Sequence, residues 1–297
     1  MKNAILVSAA TLLAASLVSA APAKIRVAAS LPDLASIAAS VGGDAVEAFS
    51  IARAGANPHF VEVLPSYMIR VAKAQVYVKV GLGLDQWADA IVEGSRNGSI
   101  RVVDASSGIR VLEKPTGKVD ASMGDVHPDG NPHYWLDPEN GIRVAANIRD
   151  ALKAADPARA ARYDAGYEAF RAESEGRIRA LKARMAPLRG SAIVTYHSSW
   201  PYFADAFGLR VVGRVEPFPG IPPTARHLAD LTATIKSEKV KVLIQEPYYP
   251  GKDADLLART TGVRVFRFTP SCAGESAGDY LRHFDEMADA LLKEVSP

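Results

Sequence analysis

Apolar and polar positions along the first part of the chain follow two different periods. Residues 25–30, 46–51, 76–80 and 100–103 are short runs rich in Val, Ile and Ala, of strand length. Between them, residues 31–43, 65–74 and 86–96 repeat apolar positions at helical spacing. Pro32 sits in the first turn of the first helix, and Gly42 and Gly43 end it. Strands alternating with helices predict a parallel sheet covered on both faces.

Residues 106–132 break the pattern. They are rich in Gly, Pro, Asp and Ser and have no period, so they read as a solvated flap. A helix at 140–154 follows, then the longest helical pattern, 157–185, with Asp156 as N-cap and Pro157 at its first position. Tyr163, Tyr167, Phe170, Ser174, Ile178, Leu181 and Met185 form its apolar stripe, best read as core packing. At about 1.5 Å per residue this helix is roughly 44 Å long, the height of a domain. The alternation then restarts. Strands are expected at 191–195, from 211, at 240–245 and at 263–268, with helices at 200–207, 224–236, 253–261 and 279–294. The expected fold class is α/β: two Rossmann-like lobes with parallel sheets, 21–156 and 188–297, joined by one long helix over 157–187.

Composition narrows the setting. A basic start, an uncharged run from Ala4 to Val18 and the small-x-small Val18-Ser19-Ala20 read as a signal peptide over 1–20. No cysteine follows it closely, so a periplasmic protein without a lipid anchor is expected. The single cysteine, Cys272, excludes an intrachain disulfide, so stability must come from the core. Thirty-five basic residues against 33 acidic ones point to no nucleic-acid partner. A monomer is expected.

The candidate chemistry lies in three of the six histidines. His59 and His133 each close an Asn-Pro-His tripeptide, and His197 follows the Ile193-Val194 strand. Each proline pre-shapes a turn before its histidine. Ligands of open α/β sheets sit beyond the carboxyl ends of the strands. That rule assigns His59 and His133 to the first lobe and His197 to the second, with a metal in the cleft between. Neutral imidazole is the commonest protein metal ligand, and three imidazoles suit zinc.

Four segments carry a family resemblance: Asn57-Pro-His-Phe60, Pro132-His-Tyr-Trp-Leu-Asp-Pro138, His197-Ser-Ser-Trp-Pro-Tyr-Phe203 and Glu216-Pro217. In these the chain resembles the zinc and manganese substrate-binding proteins of ABC transporters over essentially its whole mature length. The second motif is highly specific; the first alone is weak. The resemblance implies two lobes on a backbone helix, His59, His133 and His197 as metal ligands, and an ABC permease as partner. Zinc-type members use three histidines, and manganese-type members place a carboxylate where His197 stands. Imidazole favours zinc and oxygen favours manganese, so zinc is expected.

Two departures stand out. Many members supply an Asp fourth ligand after the last strand, whereas Arg267-Phe-Thr-Pro-Ser-Cys-Ala273 has no carboxylate. Glu246 is the first candidate for that position, followed by water and Cys272, whose thiolate would be exposed to oxidation outside the cell. The flap at 106–132 carries a single histidine, His127, where zinc-type members often have many. His227 and His283 read as surface residues. Asp137 reads as a helix cap or as a carboxylate behind a ligand, and Trp135, Trp200, Tyr196, Tyr248 and Tyr249 as cleft packing. The expected function is extracytoplasmic zinc binding for an ABC importer, without enzymatic activity. The rivals are a manganese or iron carrier of the same family, a secreted zinc hydrolase with Glu246 as base, and a haem or siderophore binder. The hydrolase lacks a His-Glu-x-x-His motif.

Overall fold

The computed structural model describes residues 23–120 and 123–295, so the expected leader at 1–20 lies outside the described residues. The first lobe runs β1 (Ile25–Ala29), α1 (Pro32–Gly42), β2 (Val46–Ser50), α2 (Pro65–Val71), β3 (Val76–Lys79), α3 (Trp87–Gly94), β4 (Arg101–Asp104) and α4 (Pro138–Ala155). Helix α5 (Ala160–Met185) leads to the second lobe. That lobe comprises β5 (Ala192–Thr195), α6 (Pro201–Phe207), β6 (Arg210–Arg214), α7 (Ala225–Ser237), β7 (Val242–Gln245), α8 (Lys252–Thr261), β8 (Arg264–Arg267) and α9 (Asp279–Val295).

Each lobe holds a four-stranded sheet, ordered β2-β1-β3-β4 and β6-β5-β7-β8. All pairings are parallel. The two orders are the same, although the two halves share no detectable residue repeat. Strands β3, β5 and β7 lie inside their sheets and are almost wholly buried, which is why they read as continuous apolar runs. In each sheet the chain winds one way from the first strand and the other way from the third. That reversal opens a crevice beyond the carboxyl ends of β1 and β3, and of β5 and β7.

The long helix starts later than its pattern predicts. Pro157–Arg159 form a 3-10 turn, and α5 begins at Ala160 with no side-chain cap. Asp156 does not cap it. Its carboxylate instead accepts the Tyr163 hydroxyl at 2.6 Å and pairs with Arg159. The apolar stripe is buried as expected at Tyr163, Phe170, Ser174, Ile178, Leu181 and Met185. Asp137 does cap a helix, accepting Glu139 N–H at 2.9 Å at the start of α4.

The largest apolar cluster belongs to both lobes. It joins Val27, Leu34 and Ile37 of the first to Ile193, Phe203 and Leu281 of the second, through Phe170 and Leu181 of α5. Gly166 makes this packing possible, because a Cβ there would overlap the Val41 carbonyl oxygen of α1. Polar bonds stitch the same seam. Trp135 Nε1 donates to Pro270 O at 2.8 Å, Ser36 Oγ to Ser276 O at 2.7 Å, and Ser50 N to Glu275 Oε1 at 2.9 Å. The segment without the expected Asp is thus part of the joint between lobes. His283 is buried here as well, 4% exposed and bonded to Thr269 O, which corrects its reading as a surface residue.

The 106–132 segment is anchored rather than free. Leu112 N donates to the Tyr202 hydroxyl at 2.9 Å, and Asn131 N donates to Leu112 O at 2.9 Å. Asp125 N donates to Pro219 O of the second lobe at 2.9 Å.

Candidate metal centre

The repeated Asn-Pro-His tripeptide folds the same way twice. Asn57 Oδ1 accepts His59 N–H at 3.0 Å, and Asn131 Oδ1 accepts His133 N–H at 3.0 Å. The asparagine side chain closes a small turn, and the proline between holds its φ. Each turn is then tied to its lobe. Pro58 O accepts Trp87 Nε1 at 2.9 Å, and the Tyr134 hydroxyl donates to Val80 O at 2.7 Å. His197 stands two residues past β5, with its carbonyl held by Thr195 Oγ1 at 2.8 Å.

The three rings converge. Their centroids are 5.2 Å apart for His59–His133, 5.3 Å for His59–His197 and 5.6 Å for His133–His197. One nitrogen from each lies within 4.8 Å of the other two. Zinc bonds of about 2.0–2.1 Å at tetrahedral angles set ligand nitrogens roughly 3.3 Å apart. His59 Nε2 and His133 Nε2 are 3.2 Å apart.

Hydrogen bonds decide which nitrogens face inward. Asn131 Nδ2 donates to Ser198 O at 2.7 Å, so its Oδ1 is the acceptor facing His133 Nδ1 at 3.0 Å. His133 therefore carries its proton on Nδ1 and presents the Nε2 lone pair. His197 Nδ1 donates to Glu216 Oε2 at 2.7 Å, which frees its Nε2 in the same way. Glu216 is 7% exposed and is steadied by Gly220 N at 3.1 Å. This is the arrangement that fixes the tautomer of metal-binding imidazoles. Neither Asn131 nor Glu216 was singled out from sequence for this work, although Glu216 lies in one of the four motifs. Burial holds the His59 and His133 imidazoles well below their ordinary pKa, and the neighbouring rings add to the effect. Both are therefore neutral at pH 7.

Glu246 and Cys272 do not join the group of mutually close atoms. Glu246 is fully buried past β7, and its Oε1 accepts Trp200 Nε1 at 3.0 Å. Burial pushes its carboxyl pKa up. Cys272 lies in the interlobe joint, where its N–H donates to Asp33 Oδ1 at 3.2 Å and its Sγ meets Gly274 O. Burial, with Asp33 beside it, holds the thiol protonated. Tyr249 stacks on His197 at 5.4 Å, Trp135 lies 5.3 Å from His133, and His127 stacks on His59 at 5.2 Å.

Residues 27–294 match the family described as the periplasmic component A of a zinc-uptake complex (ZnuA). The chain belongs to this family. Among its relatives, the zinc-binding lipoprotein AdcA of Streptococcus pneumoniae is 23% identical over 77% of the chain. The chain spans about half of that relative's length, 46%. The iron-binding protein YfeA of Yersinia pestis is 26% identical, covering 91% of the chain and 86% of YfeA. A crystal structure of ZnuA superposes with a TM-score of 0.78 at 25% identity, over 91% of this chain and 98% of that one. The two parallel sheets and their connecting helices are thus the ZnuA architecture, and metal binding for transport is the family's work.

Proposed function

We propose that the chain is an extracytoplasmic zinc-binding protein that hands the ion to an ABC importer, with His59, His133 and His197 as ligands. One observation carries this reading: imidazole nitrogens from both lobes meet within 4.8 Å, with no carboxylate oxygen in the group. Nitrogen donors favour zinc over manganese, which prefers oxygen. With Nδ1 of His133 tied to Asn131 and Nδ1 of His197 tied to Glu216, both rings are held in orientation before the metal arrives. Nothing in the arrangement calls for catalysis. Glu246, the base a zinc hydrolase would need here, lies outside the group of converging atoms, with its Oε1 accepting Trp200 Nε1 at 3.0 Å.

An iron or manganese carrier is the second reading, because YfeA is named for iron. The oxygen-free donor set argues against it. The deciding experiment is metal analysis of the purified mature protein, followed by calorimetric competition between zinc, iron(II) and manganese. Zinc should displace the other two. His197→Ala should lower zinc affinity by more than tenfold, and a smaller loss would count against the site.

A further inference from the structure

The ties of both first-lobe histidines end on one loop. Pro58, beside His59, accepts Trp87 Nε1 on its carbonyl, and Tyr134, beside His133, donates its hydroxyl to Val80 O. Val80 follows β3 and Trp87 opens α3, so the two anchors bracket a single β3–α3 connection. Its backbone is unusual. Gly81, Leu82 and Gly83 have φ of 81°, 50° and 79°. Glycine takes this conformation freely, but Leu82 does so at a cost, so the surroundings must hold the turn.

Asp85 supplies the hold. It is 1% exposed. Its Oδ2 accepts Val80 N–H at 2.6 Å and the Ser30 hydroxyl, and its Oδ1 accepts Gly81 N–H at 3.1 Å. The side chain thereby closes the loop on its own first two residues. Through Ser30, which follows β1, it also fastens the loop to the neighbouring strand. The clamp thus sits at the crevice beyond β1 and β3. A shared reference of this kind matters for a metal pair. His59 Nε2 and His133 Nε2 are 3.2 Å apart, yet two helices, two strands and the 106–132 segment separate them along the chain. A binding constellation has to be held to about 0.5 Å by groups that are themselves locked.

Resting on the reading of His59, His133 and His197 as metal ligands, we propose that Asp85 is a positioning residue for the first-lobe pair. It locks the β3–α3 loop into a frame, and the frame's two outward bonds, Val80 O to Tyr134 and Trp87 Nε1 to Pro58, set the spacing of His133 and His59. His197 is oriented separately, by Glu216 in the other lobe.

The test is zinc affinity of the mature protein by competition with a chromophoric chelator, at a temperature where each metal-free variant is folded by circular dichroism. Asp85→Asn keeps the volume but sets an amide nitrogen against the Val80 or Gly81 N–H, donor against donor. It should lower zinc affinity about tenfold, the lower end of the range for groups that support metal ligands. Gly166→Ala, destabilised away from this loop, is the control and should keep wild-type affinity. The decisive readout is a mutant cycle. In a Tyr134→Phe, Trp87→Phe background, where both outward bonds are gone, Asp85→Asn should cost less than about threefold more. A purely structural Asp85 would lower the melting temperature of Asp85→Asn and leave its zinc affinity unchanged, which would overturn the proposal. Full additivity in the cycle would overturn it too, and so would an equal loss of affinity in the control. Should Asp85→Asn not fold, the Tyr134→Phe, Trp87→Phe protein still decides, because wild-type zinc affinity without those two bonds would refute the frame. Failure of the wild-type protein to bind zinc would instead sink the proposed function itself.

Discussion

Glu216→Ala isolates the contribution of a residue that would never touch the metal. Glu216 Oε2 accepts His197 Nδ1–H at 2.7 Å and Gly220 N–H at 3.1 Å, in a site where the side chain is almost wholly enclosed. Removing it leaves a buried imidazole N–H without its charged acceptor. A hydrogen bond to a charged group contributes about 1.5–3 kcal/mol. At about 1.4 kcal/mol per decade, that is roughly tenfold to a hundredfold in zinc affinity, the range typical of carboxylates behind metal-bound imidazoles. Glu216→Gln retains the volume and one oxygen acceptor, so its loss should be smaller, below about tenfold. Both variants should be measured by chelator competition, with thermal unfolding of the metal-free proteins alongside to separate affinity from folding. An alanine variant that folds normally and keeps zinc affinity within about threefold of wild type would refute the argument. The His197 ring would then be held by its packing on Tyr249 rather than by Glu216.

Other consequences follow from the seam and from the rings. Gly166→Ala inserts a Cβ against the Val41 carbonyl oxygen and should destabilise the fold by about 1–3 kcal/mol, seen as a lower denaturation midpoint at unchanged slope. The lowered pKa values of His59 and His133 mean that the metal-free protein keeps both rings neutral below pH 6.5, where an exposed histidine is half protonated. Protons therefore begin to compete for these lone pairs only at lower pH. Their imidazole NMR signals should stay flat down to that pH, and titration centred near 6.5 would contradict the burial argument. The shared core and the hydrogen bonds across the joint limit lobe movement, so X-ray scattering curves of metal-free and zinc-loaded protein should nearly overlap. A large closure would show that the joint yields.

Among the described residues, periodicity was enough to find the eight strands and the long helix, because most of these strands are short apolar runs and α5 keeps one apolar stripe. Errors fell at element ends, where local polar bonds compete. Asp156 looked like an N-cap but spends its carboxylate on Tyr163 and Arg159. Asp137 had two readings, and the bond to Glu139 N–H decides for the cap. His283 was misplaced because its helix carries charges on either side, whereas its own face turns into the joint between lobes. The 106–132 segment read as a flap because it has no period. Its anchors include hydrogen bonds to the Tyr202 hydroxyl, Pro219 O and Ser198 O and the ion pair of Glu113 with Arg214, all distant in sequence and invisible to pattern.

By itself, then, the sequence determined the α/β class, the division around α5 and the three histidines worth watching, since propensity and hydrophobic period are local properties. It also held the Asn-Pro-His turn, whose asparagine and histidine are two residues apart. Tertiary structure decided what those histidines face. The inward Nε2 lone pairs depend on partners chosen across the fold. Asn131 takes its orientation from Ser198, 67 residues away, and Glu216 reaches His197 only because β6 lies beside β5. It also removed Cys272 from contention, by burying it against Asp33 from the far end of the chain. Ligand type can be read from residues in a row, but ligand geometry is set by long-range packing, which no local pattern encodes.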